Sequence, residues 1–67
     1  MFDKILEVAY HVESDNVPEL GVTLKVKSLD KPYETYYITP YSVVKLHDNV
    51  YAVRCLNSNY TIYVNDP

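Results

Sequence analysis

Apolar and polar positions alternate with period two through most of the chain, the spacing of strands with one buried face. Over residues 4–13, KILEVAYHVE, Leu6, Val8, Tyr10 and Val12 alternate with Ile5, Glu7, Ala9 and His11. A helix is the competing reading, capped by Asp3 with a stripe of Ile5, Val8, Ala9 and Val12; the alternation favours a strand. Residues 14–21, SDNVPELG, are turn formers, and Gly21 is expected where the backbone needs positive φ or close approach. Residues 22–29 predict a half-buried strand, with Val22, Leu24 and Val26 inward and Thr23, Lys25 and Lys27 in solvent.

After the turn Asp30-Lys31-Pro32, residues 33–39, YETYYIT, predict a strand with Tyr33, Thr35 and Tyr37 on one face and Tyr36 and Ile38 on the other. Pro40 cannot donate to a ladder and marks a strand end, an edge or a bend. Residues 42–47 predict a strand with Val44 and Leu46 inward, followed by a two-residue turn at Asp48-Asn49. Residues 50–56 place Tyr51, Val53 and Cys55 on one face; Val50, Ala52, Arg54 and Leu56 take the other. Residues 60–64 set Tyr60, Ile62 and Val64 on one side, leaving Tyr63 opposite. Short strands at this spacing predict a single, mainly β domain over 1–67: a small SH3-like or Sm-like barrel, or a rolled antiparallel sheet of five or six short strands, with one N-terminal helix as the alternative at residues 4–13. Closure would remove adhesive sheet edges.

Size changes what this domain can do. With 67 residues it buries only about 60% of its unfolded surface, so its stability is marginal. Cys55 is the sole cysteine, which rules out an internal disulfide and fits a cytoplasmic compartment. The start, Met1-Phe2-Asp3-Lys4, reads unlike a secretory leader, and no apolar run approaches the roughly 20 residues of a membrane span. The net charge of −3, from scattered acids, disfavours nonspecific binding to nucleic acid.

Catalytic chemistry needs converging groups, and the sequence offers none that point together. His11 and His47 lack metal-ligand spacing, a lone strand cysteine reads as an inert thiol, and one glycine excludes a glycine-rich phosphate loop. The expectation is a chain that is not an enzyme and takes no cofactor or metal.

Tyrosine is the compositional outlier: eight, against one Phe and no Trp. Four of them, Tyr33, Tyr36, Tyr37 and Tyr41, fall within nine residues. Tyr36 and Tyr37 face opposite ways, so at least one is exposed, and the same holds for Tyr60 and Tyr63. Exposed tyrosines suit protein interfaces. The predicted partner-binding residues are therefore Tyr33, Tyr36, Tyr37, Tyr41 and Tyr63, in a module that binds and modulates a larger host protein. Very small acidic chains without enzymatic motifs are common among phage and mobile-element products, where such regulators or inhibitors occur. An alternative is a nucleic-acid or nucleotide site in which bases stack on tyrosine beside Lys25, Lys27, Lys45 and Arg54. Another is a homodimer or larger homo-oligomer whose tyrosine face, or a sheet edge, is its own interface.

Residues 33–66, which include YYITPYSVVKLHDNVYAVRCLNSNYTIYVND, resemble the core of a WYL domain, an Sm-like β module of bacterial regulators. The matching parts are the strand ending at Pro40, Val43-Val44, the turn Asp48-Asn49, the aromatic strand start Tyr51, and Thr61-Ile62-Tyr63. The resemblance implies an Sm-like fold and a nucleotide or nucleic-acid ligand held by basic residues near the last strands. Asn59 and Tyr60 stand where such a charge is expected, and only Arg54 is nearby.

Overall fold

The computed structural model describes residues 9–65, and the alternating segments within them become six strands. These are β1 (Ala9–Ser14), β2 (Leu24–Ser28), β3 (Thr35–Ile38), β4 (Ser42–His47), β5 (Val50–Arg54) and β6 (Asn59–Val64). They form one sheet in the order β3-β2-β1-β6-β5-β4. The described part of the first segment, from Ala9, is strand and not helix; residues 4–8 and Asp3 lie outside the described residues.

Four of the five pairings are antiparallel. The fifth departs from the expected all-antiparallel sheet: β1 and β6 run parallel, with Tyr10 opposite Tyr60 and Val12 opposite Ile62. Parallel neighbours need a long crossover. Here the crossover is the rest of the chain, the β2–β3 hairpin followed by β4 and β5.

The connection from β3 to β4 dictates the sheet's shape. These strands lie at opposite edges of the sheet, yet only Thr39, Pro40 and Tyr41 join them. Four Cα steps reach about 15 Å. Edge strands of a flat six-stranded sheet would stand about 24 Å apart, five spacings of roughly 4.8 Å. The sheet must therefore roll over its own inner face. Pro40 is buried in this bend, where its missing N–H costs no ladder bond. Its carbonyl accepts from the Gly21 N–H at 2.9 Å, and the Tyr41 N–H donates to the Arg54 carbonyl at 2.8 Å. Gly21 takes the expected left-handed conformation, φ +74°. Strands β3 and β4 share no ladder, so the roll stays open along a seam and is not closed into a barrel.

Inside lie Val12, Leu24, Val26, Ile38, Val53 and Ile62, with Val43, Tyr51, Cys55, Tyr60 and Val64 packed against them. Each fully buried aliphatic side chain contributes about 1.5–3 kcal/mol. The buried Ser14 hydroxyl is satisfied locally, accepting from the Asn16 N–H and donating to the Asn16 carbonyl.

Three expectations need correction. Val44 and Leu46 do not point inward; they are 53% and 50% exposed. Val43 faces the core instead, because β4 takes its register from β5: Val43 lies opposite buried Val53, and Val44 opposite Ala52. A one-residue shift in register exchanges the two faces of a strand. Val22 precedes β2 and is exposed. Tyr33 lies in the turn before β3, where the Glu34 N–H donates to the Lys31 carbonyl at 2.8 Å.

Candidate functional site

Tyr37 projects from the outer face of β3, with Tyr33 in the turn before that strand and Tyr41 just past the Pro40 bend; their exposures are 70%, 80% and 60%. Tyr37 is exposed because the outer side of β3, an edge strand, has no layer packed on it among the described residues. Lys25 lies directly across from Tyr37 on β2, and the Thr39 hydroxyl meets that of Thr23 at 2.9 Å. Beyond the end of β3, a cleft is lined by Tyr37, Thr39, Cys55 and Leu56. Leu56 is 91% exposed, the largest exposure among the described apolar side chains. Its sequence position predicts a strand, but β5 ends at Arg54. The turn bonded from the Cys55 N–H to the Ser58 carbonyl lifts Leu56 out of the sheet.

The other two tyrosines expected at this surface lie elsewhere. Tyr36 sits opposite Val26 and so belongs to the inner face, near its rim. Its hydroxyl donates to Glu34 Oε1 at 2.5 Å. That bond, with lesser help from burial and nearby charge, raises the phenol above its ordinary value. On the outer face, Tyr63 is opposite Glu13; its ring stacks on His11 at 5.9 Å and its hydroxyl is 3.2 Å from His11 Nδ1. Two strands, β2 and β1, separate β6 from β3, so Tyr63 stands apart from β3.

Tyr36 has different company. The rings of Tyr10 and Tyr60, adjacent across the parallel pair, are 5.8 Å apart and tilted by 40°. Together with Tyr36 and Ser58 they line a cavity of about 270 Å³. Tyr10 and Tyr60 were not singled out as site residues. The signal available was their alternation with Val12 and Ile62, which assigns both to the inner side.

The four cations do not form one groove. Lys25 and Lys27 project from the outer face of β2, Lys27 across from Glu13. Arg54 shares that face but lies on β5, three strands away from β2. Lys45 is on β4 with Asp48 at 4.0 Å, an exposed pair that contributes little.

The Cys55 thiol is half-buried, and burial raises its pKa against an opposing hydrogen bond from the Thr39 backbone. A raised pKa means less thiolate and a weaker nucleophile. Among the described residues no three His, Cys, Asp or Glu side chains come together as a metal site, and no helix is long and apolar enough to cross a membrane. Compared with known proteins, the chain matches no family model, no curated protein and no solved structure.

Proposed function

We propose that this chain is a non-enzymatic binding module that docks on a larger protein through the exposed tyrosines of β3 and its flanks and modulates it. The observation that carries the reading is the exposure of Tyr37 on edge strand β3 and of Tyr33 and Tyr41 in the segments that flank it. Tyrosine supplies a large contact area with a polar tip and little rotamer entropy to lose, which is why it recurs where proteins meet. Leu56 adds apolar surface beside Tyr37. Net charge −3 and the scatter of Lys25, Lys27, Lys45 and Arg54 favour a protein partner over a phosphate backbone. The proposed setting is the cytoplasm of a host cell. A small Sm-like architecture of the WYL kind is part of this proposal.

The test is capture from lysate of the native host, with and without nuclease, using the intact chain and a Tyr33→Ser/Tyr37→Ser/Tyr41→Ser variant. The expected result is a stoichiometric protein that survives nuclease with the intact chain and is lost with a variant whose circular dichroism is unchanged. Undiminished capture by the variant, or recovery that vanishes with nuclease, would overturn the reading.

A further inference from the structure

The cavity between the strand ends on the inner face is separate from Tyr33, Tyr37 and Tyr41 and is walled almost entirely by aromatic rings. Its lining is Tyr10, Tyr36 and Tyr60 with the single small residue Ser58. Among the described residues, no aliphatic side chain and no cation lines it. The Tyr10 and Tyr60 rings meet at 40° instead of stacking flat, which leaves an angled aromatic corner. On the far side of Tyr36, the Glu34 carboxylate accepts the phenol hydrogen bond and supplies a negative charge. Tyr36 does not act as a core side chain: it stands opposite Val26 but remains exposed.

Ring faces are negative, and several faces around one small space attract a cation that has little water to lose. A primary ammonium is compact, strongly hydrated and has three protons to satisfy. Among the described residues the lining offers only phenol and Ser58 hydroxyls, and the Tyr36 O–H is already engaged as a donor to Glu34. A methylated ammonium has exchanged N–H groups for methyls that rest on ring faces. At about 270 Å³ the cavity falls just below the roughly 300–1,000 Å³ typical of drug-sized ligands, which suits a head group and not a whole metabolite.

We infer that Tyr10, Tyr36 and Tyr60 form an aromatic cage for a methylated ammonium group, with Glu34 supplying long-range attraction. Two sources share this chemistry: a trimethylated lysine side chain on a peptide, and a choline-type small molecule.

The experiment is titration of the full chain, followed by tyrosine fluorescence and amide NMR shifts. The probes are tetramethylammonium, choline, a trimethyl-lysine peptide, the same peptide with unmodified lysine, and 3,3-dimethyl-1-butanol, the neutral isostere of choline. Saturable binding of the quaternary cations is expected, with shifts at Tyr10, Tyr36, Ser58 and Tyr60 and at least tenfold weaker binding of the neutral isostere. Tyr36→Leu, on the sheet edge, weakens binding by about fivefold or more. The Tyr33→Ser/Tyr37→Ser/Tyr41→Ser variant leaves it unchanged, which separates this site from the docking tyrosines. A trimethyl-lysine peptide that binds more tightly than choline identifies a peptide source, and the reverse order a small molecule. Failure of every quaternary cation to saturate, or equal binding of the neutral isostere by the wild-type chain, would overturn the cage; both tests hold even if Tyr36→Leu fails to fold.

Discussion

Tyr36 shows how one residue can answer to two constraints. Its backbone belongs to the inner register, opposite Val26, while its phenol reaches the rim to donate to Glu34. The bonded form is the protonated one, so the folded pKa lies above the unfolded value of about 10. The bond's stabilisation is therefore complete below that pH and is lost as pH rises through the raised value. Tyrosinate absorbance should show a phenol ionising above about pH 10, and Tyr36→Phe should remove that late phase. Persistence of the late phase in Tyr36→Phe would mean that the Glu34 bond is not its source. Gly21 and Asn49 illustrate the opposite case, in which the backbone alone decides. Both have positive φ, at +74° and +63°. A Cβ added at Gly21 would meet nothing within 4 Å, so the need for glycine there is conformational and not steric. Asn tolerates the left-handed region through its short polar side chain, which is why Asp48-Asn49 works as a turn without glycine.

At the scale of strands, β4 gives the sharpest test of register. Val43 contacts the core opposite Val53, whereas Val44 faces solvent opposite Ala52. Val43→Ala should cost about 1 kcal/mol, from roughly 0.8 kcal/mol per buried methylene-sized group with partial burial. Val44→Ala should stay within about 0.5 kcal/mol. Urea unfolding of both variants reads the difference, and the reverse order would place β4 in the other register. Much of the strand pattern was legible from alternation. Leu24 and Val26, Tyr51 and Val53, and Tyr60 and Ile62 each recur at two-residue spacing beside polar or outward neighbours, so only one face could be buried. β4 was not legible in this way because Val43 and Val44 are consecutive, and only the pairing with β5 decides between them. The irregularity between Lys45 and His47 further breaks the alternation that put Leu46 inward. The parallel pairing of β1 with β6 joins residues some fifty positions apart, through no local signal. The Tyr10–Tyr60 pair, and with it the cavity, was hidden for the same reason. Alternation separated Tyr37 from Tyr36 in advance, and the register of β3 with β2 sets Tyr36 inward opposite Val26; the placement of Tyr63 on a distant strand depended on the sheet order and had no local signal.

The whole molecule is a rolled sheet with two unlike edges. On β4, exposed Val44 and Leu46 would invite another strand, but Lys45 and the register irregularity interrupt the edge. Charged side chains and bulges are common guards of this kind. By contrast β3 has no charged side chain between Thr35 and Ile38, and Tyr37 on its outer face is aromatic. In the proposed reading that asymmetry favours docking at β3, with the core gathered inside the roll and Tyr33, Tyr37 and Tyr41 left exposed. The central claim is that the partner covers these tyrosines. Hydrogen–deuterium exchange of the chain, free and bound to the captured partner, tests it most directly. The account predicts that slowing on binding concentrates over residues 33–41 and around Leu56, with β4 unchanged. Slowing confined to β4, or to the basic positions of β2 and β5 with residues 33–41 unaffected, would contradict it.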